Sequence, residues 1–199
     1  MIDQLEATAH DGTRMLLSPF AAGDVGRVFE ICQDPEIQKW TTVPSPYLMS
    51  HAEQYVNEYA PVAWRQVAAG AFSIEDDGPE LTWGIRLVTD GLVGAIGLKP
   101  GGRRRMEIGW WLGPSWRGRG IMRAAAETVV GMGFDTLGAA EISWHAVVGN
   151  HPSAFVAQRV GFAYQGVINV DRGIHKDEPN WSAVIRQGDP IAPRDWPKL

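Results

Sequence analysis

Only one cysteine, Cys32, stands in the 199 residues, so the chain can close no internal disulfide and suits a reducing compartment. No run approaches the roughly 18 consecutive apolar residues that a membrane span needs. The opening Met1-Ile2-Asp3-Gln4-Leu5-Glu6 lacks the basic-then-apolar pattern of a secretion signal. The expectation is a cytoplasmic protein with no membrane partner. Positive charge is also short: 18 Lys and Arg against 23 Asp and Glu leave a net charge of -5. That balance argues against nucleic acid as a partner and is compatible with a cationic ligand. Internal repeats and low-complexity stretches are absent.

What is there is globular. Hydrophobic residues make up 45% and charged residues 21%, and the length suits one domain. We assign residues 1–187 to it and read 188–199, with Pro190, Pro193 and Pro197, as an irregular tail. Thr13 to Leu17 reads as a strand, followed by a helix capped by Asp24 and a short one from Asp34-Pro35 to Trp40. Pro44-Ser45-Pro46-Tyr47 then leads to a helix capped by Ser50 that runs to about Tyr59. From Leu81 the period changes. Leu81 to Val88, Leu92 to Leu98 and Arg105 to Leu112 read as an antiparallel meander turning at Asp90-Gly91 and Pro100-Gly101-Gly102. Arg103-Arg104-Arg105 is then a solvated hairpin tip.

After Gly113-Pro114, apolar residues at Ile121, Ala125, Val129 and Met132 take helical spacing. A strand at Glu141 to Val148, a helix from Pro152 to Val160 stopped by Gly161, and strands near Ala163 to Val170 and Trp181 to Gln187 complete the pattern. The fold class is α/β (α+β): one mixed, mostly antiparallel sheet of six to seven strands flanked by helices.

The chemistry concentrates between Glu107 and Arg123. There a strand passes through Gly113-Pro114-Ser115-Trp116-Arg117-Gly118-Arg119-Gly120 into a helix that begins with Ile121, Met122 and Arg123. A helix start exposes amides without intrahelical partners, and small residues before it let a phosphate approach them. Arg117, Arg119 and Arg123 add charge, as a pyrophosphate would require. The run has neither the lysine of a Walker loop nor the dinucleotide GxGxxG spacing.

Arg117-x-x-Gly120, between its strand and helix, resembles the coenzyme A pyrophosphate motif of the GNAT acyltransferases, although the family pattern ends in Gly or Ala where this chain has Met122. Asn150-His151-Pro152-Ser153 with Val160-Gly161-Phe162 resembles the signature of the ribosomal-protein N-terminal acetyltransferase (RimJ/RimL-like) branch. The resemblance spans about Thr13 to Gln187 and is weakest between Ala60 and Gly78. It implies a GNAT fold with a splayed strand pair at the cofactor. It also implies acetyl-CoA, or another acyl-CoA, as cosubstrate, with no metal, and a peptide or protein N-terminus or a small amine as acceptor. The backbone of Trp110, Trp111 and Leu112 would then meet the pantetheine arm, the segment Arg117 to Arg123 the pyrophosphate, Asn150 the pantetheine amides and Ser153 the sulfur. Many members carry a tyrosine general acid four residues before the Gly-Phe pair; here that position is Ala157 and Ser153 is the substitute.

The acceptor nitrogen must be neutral to attack. An α-amine with pKa near 7.7 to 8.0 is about one-third neutral at pH 7.5, against about one in a thousand for a lysine amine. Modest assistance therefore suffices for an α-amine, and Glu107 is the candidate base, through water. Its bland alternative is an exposed strand carboxylate, and that of Ser153 is a helix cap. His145 and His151 are also candidate bases, though an isolated histidine on a strand or at a helix start is more often structural. Cys32 is read as no nucleophile. Trp40 and Tyr47 border the acceptor site in this reading, and the aromatic content is compatible with a homodimer.

Overall fold

The computed structural model describes residues 2–170 and 177–199. Its centre is one eight-stranded sheet in the order β1-β2-β3-β4-β5-β6-β8-β7. The strands are β1 (Leu5–Thr8), β2 (Arg14–Ser18), β3 (Leu81–Leu87), β4 (Gly91–Pro100), β5 (Arg105–Leu112), β6 (Glu141–Val147), β7 (Ala163–Asn169) and β8 (Pro179–Arg186). All neighbours are antiparallel except β5 and β6. The sheet thus has eight strands, not six to seven; the short edge strand β1 is the one the sequence pattern did not reveal.

The helices are α1 (Val25–Ile31), α2 (Pro35–Trp40), α3 (Met49–Gln54), α4 (Pro61–Ala68), α5 (Ile121–Asp135) and α6 (His151–Val160), with a wider turn at Tyr55–Tyr59. None among the described residues is long and apolar enough to cross a membrane. On α5 the four residues chosen by spacing, Ile121, Ala125, Val129 and Met132, are all buried. Successive strand residues point to opposite faces. Accordingly Ile96 and Leu98 join the main core with α5, whereas Ala95 joins a second core with α1 and α3.

Three local expectations need correction. Asp24 does not cap α1 through its side chain; its carboxylate accepts from the Ala21 amide at 2.7 Å and clamps Arg86 with bonds of 2.8 and 2.7 Å. Ser50 does not cap α3, which starts one residue earlier, and His51 Nδ1 accepts the Leu48 amide at 3.1 Å instead. The arginine tip is more than solvated. The Arg103 amide donates to the Glu75 carbonyl and Arg104 Nε to the Gly138 carbonyl at 2.7 Å, which ties the turn to two loops. Residues 188–199 are fastened to the body of the protein: Trp196 Nε1 donates to the Phe162 carbonyl at 2.7 Å and the Arg194 amide to the Gln158 carbonyl at 3.1 Å.

Candidate active site

The parallel pair creates the site. β5 and β6 are in register from Arg105 opposite Glu141 to Ile108 opposite Trp144, and there their pairing ends. Beyond it Gly109 to Leu112 keep only their β4 partners, while β6 stays with β8 as far as Val147. This parting matches the expected splay and leaves the β6-facing edge from Gly109 to Leu112 without a strand partner.

Next to the free edge, a turn at Pro114–Trp116 leads through Gly118 and Gly120, at φ of 74° and 75°, into α5. Left-handed backbone at two positions within three residues is what glycine permits at little cost. Among the described residues the amides of Ile121, Met122 and Arg123 have no carbonyl partner, as befits the first turn of a helix. A cavity of about 710 Å³ opens over this turn, lined by Trp110, Trp111, Leu112, Arg117, Gly118, Gly120, Ile121, Met122, Arg123, Asn150, Ser153 and Trp40. Nearly every residue expected at the cofactor is therefore on one surface. Arg119 is exposed and does not line it. The loop glycines, free amides and open strand edge fit a pyrophosphate joined to an amide-bearing arm.

The arginines divide. Arg117 Nε donates to the Leu112 carbonyl at 3.0 Å and Nη2 to Asp34 Oδ1 at 2.8 Å, so it laces the loop to the start of α2. Burial pushes the Asp34 carboxyl up, but hydrogen bonds from Arg117 and the Ile37 amide outweigh it and hold it below the usual range. Arg123 pairs with Glu127 at 2.8 Å.

A second cavity of about 720 Å³ adjoins the first at the same tryptophans. Its lining includes Glu107, His145, Tyr47, Tyr55, Glu80 and Cys32, and it shares Trp40, Thr41, Trp110, Trp111, Asn150 and Ser153 with the first. Its floor is flat because Gly97 and Gly109 face each other across β4 and β5. A Cβ on Gly97 would strike the Glu80 carboxylate, so that side chain leans over the bare strand.

At the junction of the cavities, the Ser153 amide donates to Asn150 Oδ1 at 3.3 Å, and Ser153 Oγ accepts from the Trp144 indole at 3.1 Å. That leaves the serine's own hydrogen available to donate. Glu107 and Tyr47 reach only the second cavity, and Trp40 borders both. Cys32 also lines the second cavity, but burial pushes its thiol up to about 12, against a smaller opposing pull from the Tyr47 hydroxyl, so it stays a thiol at neutral pH. His145 Nδ1 is 3.2 Å from Glu107 Oε2. The sequence held no sign of that approach, because the register of β5 against β6 is not written in either strand alone. Glu80 and Tyr55 were missed too. Glu80 comes from the loop just before β3 and Tyr55 from the helical turn at Tyr55–Tyr59, both distant in the chain from the motifs.

Comparison with known proteins follows the same lines. The acetyltransferase (GNAT) domain family matches residues 14–163. The Bacillus subtilis (strain 168) protein named "Putative ribosomal N-acetyltransferase YdaF" is 31% identical over 87 residues, 42% of this chain and 48% of that one. The chain thus matches about half the length of that relative. Among solved structures, an acetyltransferase (GNAT family) from Bacillus anthracis superposes with a TM-score of 0.73 at 19% identity, over 93% of this chain and 100% of that one. Mycobacterium smegmatis RimJ in complex with CoA-disulfide gives 0.69 at 18%, over 93% and 87%. At such identities the likeness to the solved structures is one of fold.

Proposed function

The chain belongs to the GNAT acetyltransferase family, and from that premise we propose that it transfers an acetyl group from acetyl-CoA to a primary amine, an N-terminal α-amine of a protein or peptide. The observation that carries this reading is the meeting of two cavities at the parting of β5 and β6, with Ser153 and Asn150 on both. The first cavity takes the cofactor, with its pyrophosphate on the amides of Ile121 to Arg123 and its arm along Trp110 to Leu112. The second takes the amine.

Glu107 promotes the loss of a proton from the acceptor, and the neutral nitrogen attacks the thioester carbonyl. Strand amides freed at the splay stabilise the tetrahedral oxyanion. Collapse expels the CoA thiolate, and the Ser153 hydroxyl, which accepts from the Trp144 indole and lines both cavities, donates to it. Arg117 positions the loop and does not need to touch phosphate to do so. The α-amine preference draws on its lower pKa and on the Bacillus subtilis relative, named a putative ribosomal N-acetyltransferase. A second reading, a polyamine or other small polycation, is favoured by a specific feature: Glu80 and Glu107 both line the acceptor cavity. A solved spermidine N-acetyltransferase from Vibrio cholerae shares the fold, with a TM-score of 0.67 at 16% identity.

The test is thiol release from acetyl-CoA against N-terminal peptides, polyamines and aminoglycosides. Turnover on peptides supports the first reading and turnover on polyamines alone the second. CoA binding without turnover on any amine would remove both and leave a cofactor-binding sensor.

A further inference from the structure

His145 lies just past the end of the β5–β6 pairing. Glu107 stands opposite Ser143 in the parallel register, and strand alternation puts His145, two residues on, on the same face of the sheet. Its Nδ1 comes within 3.2 Å of Glu107 Oε2 but off the line of a hydrogen bond. Among the described residues it is the one buried side-chain nitrogen or oxygen without a hydrogen-bond partner. Folded proteins rarely keep such an atom without cause. The imidazole is 17% exposed and the carboxylate 28%, and both open on the acceptor cavity.

A carboxylate only accepts, and a neutral imidazole has one nitrogen with a bare lone pair. Two such atoms side by side on a cavity wall form a receptor for an N–H donor that can point one hydrogen at each. We propose that Glu107 and His145 act as a single proton-accepting pair, which holds the ammonium head of the acceptor and withdraws its proton. The inference rests on the transferase reading and adds a catalytic residue to it. R–NH3+ gives one proton to Nδ1, and the adjacent carboxylate stabilises the imidazolium. The freed lone pair forms the C–N bond at the thioester carbonyl carbon, whose π electrons move to oxygen. On collapse the C–S bond breaks and its electrons leave with sulfur. The remaining excess proton on nitrogen passes to the thiolate, giving amide and CoA thiol, and the imidazolium returns its proton to solvent.

Burial holds the His145 pKa below its usual 6.5, so the ring is neutral and able to accept at pH 7. Other titratable or charged groups line the same cavity: Lys99 beside Glu107 on the neighbouring strand β4, Glu80 before β3, and Cys32, Tyr47, His51, Tyr55 and Tyr59 from the helical side.

The test compares His145→Gln, Glu107→Gln and the double variant in the full chain. Expected are a fall in kcat of about 10²-fold or more for each single variant, unchanged CoA affinity by calorimetry, and a double variant no worse than the poorer single. His145→Gln should also lose the acidic limb of the kcat/KM pH profile. Wild-type kcat and profile in His145→Gln, or losses that multiply in the double variant, overturn the pair. A second readout needs no acceptor: imidazole NMR titration should give a lower His145 pKa in Glu107→Gln than in wild type, and an unchanged value refutes the coupling. Should Glu107→Gln not fold, Glu107→Asp, which keeps the charge but draws it back, should move the same resonance less. CoA binding with no transfer to any amine would sink the transferase reading while the titration still decides the pair.

Discussion

Gly120→Asp separates electrostatics from backbone strain at the proposed pyrophosphate site, provided that Gly120→Ala is measured beside it. Gly120 has a φ of 75°, and a Cβ there would meet nothing closer than the Ala9 Cβ at 4.0 Å. The penalty for either substitution is therefore conformational, about 1–2 kcal/mol. For a domain of this size that lowers Tm by about 2–4 °C per kcal/mol, so both variants should fold. They diverge in charge. A carboxylate roughly 5 Å from a phosphate charge, at an effective dielectric of about 20, is opposed by about 3 kcal/mol. That is more than 10²-fold in Kd for each phosphate charge it meets. Calorimetry should find CoA binding by Gly120→Ala within about tenfold of wild type and binding by Gly120→Asp weaker by at least about 10²-fold, with the gap narrowing as salt rises. Equal affinity of the two variants would mean that the pyrophosphate does not rest on the start of α5.

Two more outcomes follow from contacts already described. Ser153→Ala should strand the indole N–H of Trp144, which is 1% exposed, at a cost of about 1–3 kcal/mol visible in thermal unfolding. Its kcat should fall by about 10²-fold with little change in KM for acetyl-CoA, and an unaltered kcat would remove Ser153 from the chemistry. Burial pushes the Asp24 carboxyl up, but the Arg86 and Ala21 hydrogen bonds win and hold it below its ordinary 3.8. A depressed carboxyl stabilises the fold fully above its unfolded pKa and ceases to do so as pH falls through the folded value. Asp24→Asn should therefore lose about 3 kcal/mol at pH 7 in chemical denaturation, with the gap to wild type closing below about pH 4. A gap that stays constant down to pH 3 would show that the pair is not what stabilises this corner.

The strands of the meander, the turn glycines and the long helix were legible because each obeys a local rule. Leu81 to Leu98 alternates or runs apolar between turn residues, and Ile121 to Met132 keeps one helical face. Both motifs proposed to hold the cofactor were legible for the same reason, since a helix start with free amides is built from consecutive residues. The second cavity, proposed for the acceptor, was not. Glu107 was visible as a carboxylate beside the motif, but its neighbour His145 is 38 positions away by sequence number and meets it only because β5 and β6 are parallel and in register. Glu80 and Tyr55 reach the same cavity from further elements. Caps failed where an alternative partner was stronger. Asp24 found a guanidinium, and Ser50 lost its place to an imidazole three residues past Leu48. Segment 60–78 carries α4 but little periodicity that would announce it.

The strand order has a consequence for how the molecule comes into being. β8 lies between β6 and β7, although β7 precedes it in the chain. On the ribosome, β7 therefore emerges before β8, its one strand partner among the described residues, and its exposed Val167 and Ile168 wait beside an open edge until β8 follows. Until then β6, the strand that carries His145, also lacks its outer neighbour. A chain cut just past residue 170 should therefore aggregate more readily than the full chain, a vulnerability that leaves no trace in the finished fold.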